Sequence, residues 1–353
     1  MTKKTVTLAF VGDIMLGRHI DNRIGTTRPR DFWGDTLSVL QSADAVIGNL
    51  ECPITLHPLQ WRRTWKAFRF RARPQAVDVL EAANVRMVNL ANNHMLDFQE
   101  EGLRDTIAYL GKAGIGHAGA GRDAYDAAKP ALIDVAGVKI GMIGFTDRMP
   151  EWRAGHCAPG INYVKLKNDN VTLNMVRHLI ADARRDGADI VVVSYHWGPN
   201  LRTSPPRHFR DFARRAIELG ADVIHGHSAH LFQGVELHRG GLILYDTGNI
   251  LDDYWIFPGI RTDNSFIFNV EFEGGRFKRL ETVPVVQDRT SVRLAEGADF
   301  KTIQTQMIRR CRPFGTVATR CADGLEIAVS SDNTARRSNS RRIEIGALIG
   351  STQ

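Results

Sequence analysis

The chain has 353 residues, 43 % apolar and 24 % charged, the composition of a globular protein long enough to bury one large core or two smaller ones. Its net charge of +7 is mild and is fed partly by Arg336, Arg337, Arg341 and Arg342. No nucleic-acid motif accompanies that charge, so a solvated surface or an anionic substrate accounts for it and no nucleic-acid partner is expected.

No apolar run approaches the roughly 20 residues of a membrane-spanning helix, so no membrane span is expected. The start, MTKKTVTLAFVGD, runs from a short apolar stretch straight into Gly12-Asp13 and reads as a first core strand rather than a signal peptide. Residues 5–11 and 44–47 are buried-strand candidates, the second leading into Gly48-Asn49. Residues 74–83 have helical spacing with a proline at their start. A strand is expected at 86–90 and a helix at 101–112, ended by Gly114. Residues 139–145 and 190–195 are strongly β-like, with a helix near 171–185 between them. A further helix at 206–219 leads into a strand at 222–224. Such alternation predicts an α/β layered fold.

After His230 the pattern changes to short β runs at 234–238, 242–245, 265–273 and 277–286, with Gly274-Gly275 as a hairpin bend. These are expected to be antiparallel strands completing a second sheet, so that two sheets lie between helices as a four-layer α-β-β-α sandwich over residues 1–290. Residues 291–330 are expected to form a small C-terminal α+β appendage, with a helix near 300–310 and strands near Val317 and 325–329. The polar, arginine-rich tail 331–353 is expected to be disordered. Cys52, Cys157, Cys311 and Cys321 are scattered without a C-x-x-C pair, which argues against a zinc ribbon or a disulfide framework. Reduced thiols and a cytoplasmic location follow.

Five short polar segments follow strand candidates: Gly12-Asp13, the run from Gly48 to Glu51, Asn92-Asn93-His94, the run from Tyr195 to Gly198, and the run from His225 to His230. In layered α/β folds the loops at one sheet edge converge on a ligand site. Carboxylate, amide and imidazole suit Mn, Fe, Zn or Mg rather than a thiolate site. Such a metal lowers the pKa of bound water and polarises a phosphoryl or carbonyl oxygen. Taken singly each segment has a plainer reading: Gly12-Asp13 as a turn, Asn93 as a helix cap, His196 as a satisfied polar residue. Three histidines in six residues are harder to explain by packing.

These segments carry a family resemblance. FVGDIMLGR (10–18), GNLECPIT (48–55), NLANNHMLDFQEEGL (89–103), VVSYHWGPN (192–200) and the run from 221 to 254 resemble the CapA/PgsA family of capsule (poly-γ-glutamate) synthesis proteins. That family is a distant branch of the calcineurin-like metallophosphoesterase superfamily. The resemblance implies the calcineurin-like sandwich and one or two divalent ions. It implies Asp13 on the first metal, with Glu51 as the acid of a bridging segment in which Asn49 holds the usual aspartate position. Asn93, His196 and His227 would serve the second metal, and His230 would return to the first. His94 would be a general acid or transition-state stabiliser, and Arg18 would contact an anionic group.

Three departures from the phosphoesterase pattern stand out. Met15 replaces a histidine, Asn49 and Glu51 replace one aspartate, and the last histidines are three apart unless His225 and His227 are the pair. Asn249 is a possible neighbour of the site. The function implied is a metal-dependent hydrolase of capsule or poly-γ-glutamate synthesis, acting on a phosphoester or a γ-glutamyl-type amide. Its substrate would be a small or polymeric anion, and other capsule-synthesis proteins would be its partners. The alternative is a non-catalytic accessory protein of polymer assembly or export. Trp61, Arg62, Arg63, Trp65 and Lys66 form a basic, aromatic loop, either a turn with anchoring indoles or a lid over an anion.

Overall fold

Alternation along the first strand, Thr5–Ile14, sorts its side chains onto two faces. Leu8 and Phe10 belong to one apolar core and Ala9 and Val11 to another, all four without solvent exposure. A sheet built on this strand must therefore be covered on both sides. The computed structural model describes residues 4–328 apart from 167, 168, 255, 257 and 258, and the tail expected at 331–353 lies outside the described residues.

The first strand sits inside the larger sheet. Ala45–Leu50, Val85–Asn89 and Gly116–Ala118 follow on one side, each parallel to its neighbour. On the other side Asn264–Glu273, Arg276–Asp288 and Leu325–Ala328 run antiparallel in turn. The smaller sheet holds Val138–Thr146, Ile190–His196, Val223–His227 and Gly241–Leu244 in parallel, with Ala131–Val135 and Val235–His238 antiparallel at its edges.

One core is shared by both sheets, where Leu8, Phe10, Ile47 and Met87 meet Ile140, Met142, Val192 and Leu244. A second core joins Val11, Val46 and Val88 to Leu80 of Ala76–Ala82 and to Leu103 and Leu110 of Gln99–Lys112. The third joins Val191, Val193 and Ile224 to Val176 and Ile180 of Asn170–Arg185 and to Phe209 and Phe212 of Arg207–Glu218. The α/β fold read from strand–helix alternation is the fold observed. No helix among the described residues is long and apolar enough to cross a membrane. All four cysteines are free thiols, two of them buried.

One expectation is corrected. The β runs from 264 onward do not complete the second sheet but extend the first, because they pair with the open edge of Thr5–Ile14. Local alternation reports that a strand has an apolar face, not which sheet edge it will meet. Gly274 and Gly275 both take positive φ and form the predicted bend between these strands. The helix Gly297–Cys311 places Ile303, Met307 and Cys311 in the core shared by the sheets.

At the end of the first strand the backbone itself is crowded. Asp13 N donates to Gly248 O at 2.9 Å, and a Cβ on Gly12 would lie 1.8 Å from that carbonyl oxygen. No side chain fits there without moving Asp13. Gly12→Ala is expected to destabilise the chain by about 3 kcal/mol, as forced overpacking does. Denaturant unfolding measures the loss, and an unchanged midpoint would contradict the crowding.

Candidate metal centre

Parallel pairing in register lines up the polar strand ends. In the larger sheet Asp13 lies beside Asn49 and Asn249, and Asn49 beside Asn89. In the smaller sheet His196 lies between Thr146 and His227. All of these are buried. The strand through 223 does not stop at Ile224 but runs on to His227, which puts His225 and His227 on the sheet rather than in a loop.

Two sets of three donors result, Asp13 with His196 and His227, and Asp13 with Glu51 and His230. In each set the donor atoms lie within 4.8 Å of one another. His196 Nδ1 and His227 Nδ1 are 3.0 Å apart, His227 Nδ1 is 3.7 Å from Asp13 Oδ1, and His230 Nδ1 is 3.4 Å from Asp13 Oδ2. Donors bound tetrahedrally at 2.0–2.1 Å stand about 3.3 Å apart, so these separations fit a small divalent ion. Asp13 Oδ2 and Glu51 Oε1 are buried with no hydrogen-bond partner among the described residues. Orphaned carboxylate oxygens in a dry interior are what a cation would satisfy.

The other expected residues surround this pair of sets. Asn93 Oδ1 is 2.6 Å from His196 Nε2, beside the first of the two sets. Asn49 is a positioning residue: its Nδ2 donates to Asp13 Oδ1 at 2.8 Å, and its Oδ1 accepts from Asn89 and Asn92 at 3.0 and 3.1 Å. His225 is tied by Nε2 to Val11 O at 2.9 Å and by Nδ1 to Ser194 Oγ at 3.1 Å, and it joins neither set. Asn249 Oδ1 meets His230 Nδ1 at 3.0 Å. Met15 is buried, with Sδ accepting from Gly17 N at 3.1 Å.

His94 Nδ1 lies 2.6 Å from Asp97 Oδ2, and Lys66 Nζ contacts both residues. Phe70 packs on the His94 ring at 4.3 Å, and Arg18 lies over Phe70 while pairing with Asp253 at 3.3 Å. Of the loop indoles Trp61 is buried against Trp152, whereas Trp65 is 87 % exposed. A cleft of about 310 Å3 opens on Asn93 and His230 and is otherwise lined by Arg148, Met149, Asn200 and Ser228. A larger hollow of about 590 Å3 over residues 58–63 and Gln99 touches no candidate ligand.

Sequence reasoning missed Asn89, Ser194, Asp97, Lys66 as an ion-pair partner, and Tyr254, whose OH donates to Glu51 Oε2 at 3.1 Å. Asp97 was legible in principle, three residues after His94 and thus within reach across one turn. The others are joined only by the fold.

Burial dominates the ionisation of the site. It pushes Glu51 well above the usual carboxylate range, and the Asp13 charge adds to this. It lowers His196 and His227 far below an ordinary imidazole, leaving neutral rings fit to donate to a metal. His230 is the exception. Burial opposes its protonation, but Asp13, Glu51 and Asn249 outweigh it and raise His230 to about 10. Its proton is the counter-charge for two carboxylates, and a divalent cation binding there would release it.

Comparison with known proteins identifies the family. The model of the bacterial capsule synthesis protein family PGA_cap matches residues 7–254. The chain belongs to this family. The match takes in every residue of both donor sets, and it confirms the CapA/PgsA membership read from the motifs. Among relatives, the capsule biosynthesis protein CapA of Bacillus anthracis is 29 % identical over 344 residues, covering 95 % of this chain and 80 % of the relative. A probable polyglutamine synthesis accessory protein of Mycobacterium tuberculosis is 31 % identical over 379 residues, covering 94 % and 98 %. The PGA biosynthesis protein CapA of Bacillus subtilis is 29 % identical over 286 residues, covering 79 % and 71 %.

Asn49→Ala would leave Asp13 Oδ1 and the Asn89 and Asn92 amides short of a partner. A loss of about 2 kcal/mol in unfolding free energy is expected, since each unpaired buried group costs about 1–3 kcal/mol. Burial also holds His94 and His225 at about 4, against an ordinary 6.5, with the Lys66 charge contributing at His94. Between those values the unfolded chain binds more protons than the folded one. Stability from these two rings is therefore complete above pH 6.5 and lost as the pH falls towards 4. Unfolding followed from pH 7 to 4 should decline across that window, and His225→Gln should flatten the decline.

Proposed function

We propose that the chain is a metal-dependent hydrolase of capsule or poly-γ-glutamate synthesis, acting on a phosphoester or a γ-glutamyl-type amide. The observation that carries this reading is the pair of donor sets sharing Asp13, with Asp13 Oδ2 and Glu51 Oε1 left unpartnered in the interior. Two sheets sharing one core, with helices on each, support a four-layer scaffold of the calcineurin-like type. One or two ions among Mn, Fe, Zn and Mg suit the donors. Asp13, His196 and His227, with Asn93 beside them, would hold one ion, and Asp13, Glu51 and His230 would hold another. When bound, such an ion supplies Lewis acidity and lowers the pKa of water.

His94 is assigned the proton transfer. Asp97 accepts its Nδ1 proton and fixes the tautomer, so Nε2 is an acceptor at neutral pH and donates only after taking up a proton. Lys66 holds Asp97 in place, and Phe70 holds the ring face. Arg18, its side chain 38 % exposed and paired with Asp253, is assigned the weaker role of drawing an anionic group towards the site. The free thiols support a cytoplasmic location, and the family supports other capsule-synthesis proteins as partners. The mycobacterial relative bears the word accessory in its name, which favours, as the second reading, a protein that keeps the site for binding alone.

Metal content of protein purified without added metal, measured together with hydrolysis of an aryl phosphate, a diester and a γ-glutamyl anilide, tests the proposal. Two equivalents of metal, with turnover reduced at least about a hundredfold in His196→Ala, are expected. Neither metal nor turnover after reconstitution would overturn the hydrolase reading in favour of the accessory one.

A further inference from the structure

The segment after Val138–Thr146 is held at the mouth of the site by the smaller sheet. Thr146 lies opposite His196 in the register, its Oγ donates to His196 O at 2.9 Å, and the same Oγ accepts from Arg148 N at 3.0 Å. Two residues past the strand end, Arg148 is thus tied to the backbone that carries a candidate metal donor. Its Nη2 donates to Gly198 O and, at 3.0 Å, to Asn200 Oδ1, which fixes the plane of the guanidinium. Both acceptors are uncharged. Among the described residues Arg148 makes no ion pair, and its Nε and Nη1 make no hydrogen bond, although it lines the cleft with Asn93 and His230. The cleft wall is strained where it turns, for Met149, Ser228 and His230 all take positive φ without being glycine. Non-glycine residues in this region persist where surrounding structure holds them, often at binding sites.

We propose that Arg148 is the oxyanion subsite of this cleft and takes a phosphate or carboxylate group of the substrate beside Asn93 and His230. The inference rests on the hydrolase reading and deepens it: the substrate carries its negative charge next to the bond that is cut. With the Nη2 hydrogens committed to Gly198 O and Asn200 Oδ1, Nε–H and Nη1–H remain, each able to donate to one oxygen while the anchored guanidinium keeps its charge at the cleft. Phosphate and carboxylate both offer such an oxygen. Arg18, by contrast, already pairs with Asp253.

The test uses the full chain loaded with manganese, with inorganic phosphate and glutarate as probes in separate calorimetric titrations. Arg148→Gln is expected to weaken the probe that binds by about tenfold or more with metal content unchanged. Arg148→Lys is expected to recover only part of the affinity, and added guanidinium should restore part of it to Arg148→Gln. Tighter binding of phosphate assigns the subsite to a phosphoester, and tighter binding of glutarate to a carboxylate. Unchanged affinity in Arg148→Gln would overturn the proposal, and so would failure of both probes to bind the wild-type chain at millimolar concentration. A lowered melting temperature with unchanged affinity would also overturn it, by reducing Arg148 to a structural tie. Should Arg148→Gln not fold, phenylglyoxal modification of wild-type Arg148, followed by peptide mass spectrometry, must be slowed by the bound probe. Binding without that protection overturns the subsite. A chain that retains no metal fails the hydrolase reading separately, because the same titration on the metal-free chain still reports on Arg148.

Discussion

Two carboxylates, Asp13 and Glu51, lie side by side where water is excluded, and the rest of the site answers to their charge. An isolated buried carboxylate is costly, and two together are more so, unless a cation or a set of donors compensates them. Here the compensation is incomplete. Asn49 gives one amide proton to Asp13 and Tyr254 one hydroxyl proton to Glu51, while His230 brings a proton held by both acids. One oxygen of each carboxylate still has no hydrogen bond among the described residues. The neutral rings of His196 and His227 stand against the same aspartate with lone pairs to give. Charge deficit and donor surplus meet at one point, which is the physical case for a metal.

The scaffold supplies the rigidity this requires. Asp13 projects from a strand flanked on one side by Ala45–Leu50 and, at its end, by Asn249–Leu251, so its backbone is paired on both edges. Gly12 and Gly226 let the neighbouring chain approach too closely for any side chain, since an added Cβ would fall 1.8 and 2.1 Å from a carbonyl oxygen. Asp246 fastens the turn between His227 and Asn249 by accepting from Ala229 N and Gly248 N, both at 2.8 Å. Ligand positions built on sheet ends and held by second partners lose little entropy on binding.

Two loops border the strand-end residues. The stretch from Trp61 to Phe70 brings Lys66 and Phe70 onto His94, and the stretch from Thr146 to Trp152 brings Arg148 to the cleft and Trp152 against Trp61. Trp61 and Trp152 touch edge to face at 5.5 Å, which joins the two loops. Of the two indoles in the basic, aromatic loop, Trp61 is an anchor and Trp65 stays in solvent.

Periodicity alone determined the elements. Apolar alternation and helical spacing located most strands and helices within a few residues, since burial of one face is a local property of the pattern. Polar residues directly after strands pointed to Asp13, Glu51, Asn93, His196, His227 and His230, because parallel strands bring their carboxyl ends to one edge. What the pattern left open was every choice between partners far apart in the chain. Strands 264–288 joined the first sheet rather than the second, Asn49 turned its amide to Asp13, and His225 turned to Val11 O while His227 turned to the site. Asp13, not Glu51, fell into both donor sets. Neighbouring residues in sequence carry the same signal for each of these outcomes. Only packing in three dimensions decides which buried polar group finds a protein partner and which is left for a cation.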